Sequence, residues 1–270
     1  MNKIPKVNTY FWIMKLAATT LGETGGDLVS MTLGLDYTGS AIIFFVLFLI
    51  SLFAQLASRR LHPAIFWSVI LTTTLTGTAV ADKLARGTDE DRTLGLGYPL
   101  ATAILLGILL AVLGIWYLSE RSLAVERISS LRAETFYWVA ILASNTLGTA
   151  LGDFLSDSER IGFLGANILI TAILVLVLLA TLFTNIPRVP LFWIAFVLTR
   201  PYGATFGDVL TKSPDEGGTG FGTVGASLIM AAILGIFIVY TTLNKDKVVE
   251  REAVEPGAVE QETEEIKARQ

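Results

Sequence analysis

The stretch FWIAFVLTRPYGATFGD, residues 192–208, opens on Phe192-Trp193 and closes on Gly203, Gly207 and Asp208. The same frame recurs as FWIMKLAATTLGETGGD at 11–27, FWSVILTTTLTGTAVAD at 66–82 and YWVAILASNTLGTALGD at 137–153. In every copy the Asp (Asp27, Asp82, Asp153, Asp208) stands 15 positions after the Trp (Trp12, Trp67, Trp138, Trp193). A glycine (Gly22, Gly77, Gly148, Gly203) stands five residues before the Asp, and a small residue (Gly26, Ala81, Gly152, Gly207) directly before it. A fixed frame repeated along a chain marks a repeat architecture, each copy one supersecondary unit.

Outward from each frame lies a second apolar run, introduced by Gly34-Leu35, Gly95-Leu96, Gly162-Phe163 or Gly220-Phe221. Eight stretches near 20 residues result, at about 8–28, 37–58, 64–84, 98–118, 134–155, 162–184, 189–210 and 223–243. At roughly 1.5 Å per residue each can cross a hydrocarbon core of about 30 Å. The 270 residues are 53% hydrophobic and 16% charged, well short of the roughly 25% charge of soluble domains. The expected fold is therefore all-α and polytopic, with eight transmembrane helices forming four parallel two-helix repeats at about 8–58, 62–118, 132–184 and 189–243. Residues 244–270, rich in acids and bases, are expected to form an acidic cytoplasmic tail, disordered or a fraying helix, beyond a membrane domain at 1–243. The first span holds Lys15 and Glu23 and lacks a small-x-small cleavage site, so it reads as a retained helix.

This arrangement resembles a bacterial integral-membrane family built of four tandem repeats of unknown function, each with two transmembrane segments and a characteristic tryptophan. The resemblance covers about residues 8–243. It implies an eight-helix protein of the bacterial inner membrane and brings no activity with it.

Orientation follows from the basic residues. Lys3, Lys6, Arg59, Arg60, Arg121, Arg127, Arg132, Arg188, Lys245 and Lys247 fall on the side of the termini, against Lys83, Arg86, Arg92, Arg160 and Lys212 on the other. Both termini are thus expected in the cytoplasm. Trp12, Trp67, Trp138 and Trp193 then lie at the cytoplasmic ends of their helices, where they read as membrane-interface anchors.

Parallel repeats place the four Asp residues at one depth, near the outer ends of the odd spans. Gly22, Gly26, Gly77, Ala81, Gly148, Gly152, Gly203 and Gly207 sit in pairs four apart, a helix-packing pattern that brings backbones close. An acid near a helix C-terminus opposes the macrodipole, so four such acids call for a compensating partner. Asp27, Asp82, Asp153, Asp208 and Glu23 are the candidate cation-binding or proton-coupling set. Arg200, set deep in span 7 before Pro201, is the candidate counter-ion or gate, together with Asn145. Lys15 is expected to snorkel toward the cytoplasmic interface.

The expected function is a transporter or exporter of a divalent metal or a proton-coupled small cation. A channel with an Asp ring, and a scaffold or sensor binding a cytoplasmic partner, are the alternatives. With no Cys and the single His62, thiolate and multi-histidine metal sites are excluded, and the hard oxygen donors suit protons, Na⁺, Mg²⁺, Mn²⁺ or Ca²⁺ better than soft ions. No zincin motif, Ser-His pair or nucleotide-binding loop is present, so an enzyme is not expected. Nor is a cofactor or nucleic acid. The expected partners are the lipid bilayer, a small cation and further copies of the chain. Because the chain lacks cysteine, a single Cys introduced at Asp89 gives a clean topology assay. It should react with an impermeant maleimide added outside intact cells; labelling only after lysis would reverse the orientation.

Overall fold

The computed structural model describes residues 3–32, 35–86, 94–128, 130–158 and 161–254. Eight long helices and no strand occur among them: α1 (Thr9–Asp27), α2 (Asp36–Ala57), α3 (Pro63–Ala85), α4 (Tyr98–Glu120), α5 (Leu131–Asp153), α6 (Gly162–Phe183), α7 (Arg188–Thr211) and α8 (Thr223–Val254). Asn8 caps α1 by accepting from the Phe11 amide at 3.0 Å, Ser130 caps α5 through Ala133 at 3.0 Å, and Pro63 opens α3. Gly34 and residues 255–270 of the tail lie outside the described residues. α8 runs on past the apolar stretch, into the first part of the tail, to Val254.

The odd helices form a closed ring in which α1 packs on α3, α3 on α5, α5 on α7 and α7 on α1. The even helices lie outside it, and each packs chiefly on the odd helix of the following repeat: α2 on α3, α4 on α5, α6 on α7, and α8 back on α1. The outer helices turn apolar side chains such as Phe53, Leu110, Leu176 and Ile236 outward, the surface a hydrocarbon solvent requires. α2, α3, α4, α6 and α8 each hold a segment long and apolar enough to cross a membrane. α1, α5 and α7 are as long but more polar, because the ring buries their polar face. The protein is a polytopic all-α membrane protein.

The glycines explain the ring. Each of the four turns toward the next odd helix at one matching position, seven residues after that helix's Trp: Gly22 on Thr74, Gly77 on Asn145, Gly148 on Arg200 and Gly203 on Thr19. A Cβ at Gly77 would lie 2.9 Å from the Asn145 backbone, and one at Gly203 2.7 Å from that of Thr19. One turn on, Gly26, Gly152 and Gly207 meet Thr78, Ala204 and Glu23 in the same way. On the outer helix α4, by contrast, nothing lies within 4 Å of a Cβ at Gly107.

The tryptophans close the terminal end of the ring from within. Phe11 packs on Trp67 (centroids 5.6 Å), Phe66 on Trp138 (5.4 Å), Tyr137 on Trp193 (6.4 Å) and Phe192 on Trp12 (5.9 Å), one cycle through all four repeats. Trp67, Trp138 and Trp193 are buried in the bundle, and Trp193 donates to the Leu123 carbonyl at 3.0 Å. This corrects their reading as interface anchors: packing on the neighbouring repeat hides the rings from the headgroup layer. Only Trp12 is part-exposed.

Gly203→Val and Gly77→Val should each lower stability by about 1–3 kcal/mol, the range for overpacking a tight contact, whereas Gly107→Ala should not destabilise. Thermal unfolding of the detergent-purified variants checks this; equal melting of all three would deny the seams their role.

Candidate functional site

Four Asp residues end the ring helices, and all are buried. Their surroundings divide by alternate repeats. After Asp27 and Asp153 the chain widens into a π-turn, Leu28–Thr32 and Phe154–Ser158, with Ser30 and Ser156 each donating back at 2.8 Å to the carbonyl of the glycine before the Asp. After Asp82 and Asp208 the helix stops one turn on, at Arg86 and Lys212, whose amides bond to the carbonyls of those Asp residues at 2.9 Å. Both cations then fold over the acids. Arg86 Nε meets Asp82 Oδ1 at 2.9 Å. Lys212 Nζ bridges Asp27 Oδ2 at 3.2 Å and Asp208 Oδ1 at 3.5 Å. A cation at a helix C-terminus is what the dipole favours. Lys212 lies past the end of α7; burial alone would lower its pKa, but Asp27 and then Asp208 outweigh this and hold it above the ordinary lysine value, as an ammonium.

Symmetry breaks at the seam where α7 meets α1. The position seven after the Trp holds Thr19, Thr74 and Asn145 in three repeats and Arg200 in the fourth. The position eleven after it holds Thr78, Thr149 and Ala204 in three repeats and Glu23 in the first. Gly207 leaves room for Glu23 against α7, and Arg200 Nη2 pairs with Glu23 Oε2 at 2.9 Å. Arg200 also donates to the Thr78 hydroxyl and, at 3.3 Å, to the Thr19 carbonyl. Both charges are buried, and Thr78 donates to Glu23 as well.

Glu23, Asp27 and Asp208 therefore converge, each offering a carboxylate oxygen within 4.8 Å of the others. Arg200 holds the trio through Glu23, from the middle of the bundle, and Lys212 through Asp27 and Asp208, from the end of α7. Asp27 Oδ1 is buried without a hydrogen-bond partner. Three carboxylates against two tethered cations leave the trio one negative charge in excess. Of the expected set, Glu23, Asp27 and Asp208 come together; Asp82 is taken by Arg86, and Asp153 ends α5 across the ring from α1.

Asn145 sits deeper. Its Nδ2 donates to Thr73 at 2.8 Å, which turns its Oδ1 toward Lys15 Nζ at 3.3 Å. Lys15 is fully buried over the Phe196 ring, 4.1 Å from the centroid, so it does not snorkel. A side chain facing the ring centre on a straight helix has no route to the interface. The Lys15–Asn145 bond spans the ring from α1 to α5, and the Arg200–Thr78 bond spans it from α7 to α3. Both diagonals are closed. The sequence placed Arg86 and Lys212 only among outer loop charges. Their signal was present: a basic residue four after the Asp in repeats two and four, where repeats one and three have Met31 and Asp157.

Four segments of the chain, residues 10–61, 65–122, 136–186 and 191–246, match the family described as Repeat of Unknown Function (DUF347). No curated protein and no solved structure matches the chain.

Glu23→Gln should cost about 3 kcal/mol or more, because it leaves the Arg200 guanidinium buried without its carboxylate. The double variant Glu23→Gln, Arg200→Gln should regain most of that loss in a denaturation series. Additive losses would mean that the two side chains are not coupled.

Proposed function

The chain belongs to this family of tandem repeats, and we propose, from its own side chains, that it is a cation transporter of the bacterial inner membrane with both termini in the cytoplasm. The observation that carries the proposal is the trio of Glu23, Asp27 and Asp208, held between two positive charges that are part of the protein. Carboxylate oxygens are hard donors, suited to a proton, Na⁺, Mg²⁺, Mn²⁺ or Ca²⁺.

Charge balance orders the steps. With Arg200 and Lys212 both in place, the trio has room for one further positive charge, a proton or a monovalent ion. A divalent ion is balanced only when one tethered cation withdraws. Lys212 is part-exposed on a short loop and leaves readily, opening the outer side. Withdrawal of Arg200 also breaks its bond to Thr78 across the ring, so occupancy of the acids and opening of the axis become one event. Two states of the ring are thereby biased by the cation, which is what coupled transport requires. Closure of both diagonals, with the aromatic cycle below them, supports a carrier over an open pore.

The test is cation binding and flux with purified protein in vesicles, across protons, Na⁺, Mg²⁺, Mn²⁺ and Ca²⁺. Asp27→Asn and Asp208→Asn should each weaken binding of the transported cation tenfold or more, on the order of 1.4 kcal/mol. Arg200→Gln should hold the cation more tightly yet move it more slowly, and Lys212→Gln should ease entry from outside. Unchanged binding in both Asp variants, with unchanged flux in Arg200→Gln, would overturn the proposal in favour of a scaffold or sensor.

A further inference from the structure

The seam between α7 and α1 carries a second feature, on its lipid-facing side and at the terminal end of the ring. A groove of about 880 Å³ runs between α1, α6 and α7, floored by the Trp12–Phe192 pair. It extends from Arg188 to Tyr202, fourteen residues of α7 or roughly 21 Å, which is longer than one leaflet of a hydrocarbon core of about 30 Å. Its walls are side chains such as Leu16, Leu178 and Ala195. Three hydroxyls along its walls, those of Thr171, Thr181 and Thr199, donate to carbonyls of their own helices at 2.6–2.8 Å. Most of the groove's lining is therefore apolar or already satisfied within its own helix, and it takes hydrocarbon.

Its mouth is different. Arg188 is exposed there, and no ion pair among the described residues involves it. Glu126 on the same rim is already engaged within the protein. The first turn of α7 starts at Pro187 without a side-chain cap, so its free amides and dipole add positive potential beside the guanidinium. A dry channel of acyl-chain length with an unpartnered cation at its headgroup end describes one kind of occupant. We infer that the groove is a binding site for one anionic phospholipid of the leaflet facing the termini, an acyl chain lying over Trp12 and Phe192 and the phosphate at Arg188. The site is separate from the carboxylates, so this inference stands or falls independently of cation transport.

The experiment is native mass spectrometry of the full chain released from nanodiscs of phosphatidylglycerol or phosphatidylcholine. One retained lipid per chain is expected, with phosphatidylglycerol preferred. Arg188→Gln should cut that preference about fivefold, the factor for one basic residue at an anionic surface. Ala195→Trp, which fills the groove, should abolish retention of either lipid while thermal unfolding confirms that the variant is folded; Ile236→Trp, on the outer face of α8, serves as a control and should retain the lipid. Equal retention of both lipids by the wild type and Arg188→Gln, or retention undiminished in folded Ala195→Trp, would overturn the assignment. So would a wild-type dimer without lipid that Ala195→Trp dissolves, since the groove would then seat a second copy.

Discussion

Each ring helix turns the same glycine toward the same position of its neighbour, and that contact governs what the centre of the bundle can hold. Backbones brought this close leave little space along the axis, and the side chains at the meeting positions take part of it. Those are threonines and an asparagine in three repeats, small groups that satisfy themselves on nearby carbonyls or on one another, as Thr74 does at 3.2 Å on Ala18 and Asn145 on Thr73. Where the fourth repeat places arginine instead, the side chain lies along Gly148 and reaches the opposite side of the ring. The same glycine seam therefore packs three interfaces and gives the fourth a charge.

Charge along the axis is partly balanced from within. Of the five acids, Glu23 pairs with Arg200, Asp82 with Arg86, and Asp27 and Asp208 share Lys212. The acids alone suggest a strongly negative cavity; the folded ring supplies most of the compensating charge from its own helix ends. The division of the outer ends into two π-turned and two cation-capped repeats overlays a twofold relation on the fourfold one. Lys212 thereby bridges acids of two different repeats, Asp208 and Asp27, instead of closing on its own helix alone.

Much of this was legible in the sequence. The fixed interval from Trp to Asp revealed four copies, the glycine pairs identified the contacting faces, and the depth of Arg200 demanded an acid, found in Glu23. Other features were not legible, for identifiable reasons. A tryptophan at a helix end has the same spacing whether it faces headgroups or the next repeat, and only the closed cycle of rings decides between them. Lys15 stands near enough to the terminal end of α1 to snorkel by length, but the direction of its side chain depends on ring closure. Arg86 and Lys212 read as loop charges because the turn that folds them over the acids is set by hydrogen bonds such as Leu96 to Leu84 and Phe221 to Leu210, which leave no trace in composition.

The placement of each outer helix on the following repeat has a consequence for synthesis. A growing chain delivers α1 first, yet the helices that cover it, α7 and α8, come last: Glu23 waits 177 residues for Arg200, and Thr24 waits 203 for Ser227. Until then α1 holds Glu23 and Asp27 in the bilayer without Arg200 and Lys212, at a few kcal/mol for each charge by insertion scales. Biogenesis must therefore shelter the first helix until the last has been made. The order of emergence from the ribosome, rather than the strength of any single contact, sets the most vulnerable moment in the life of this protein.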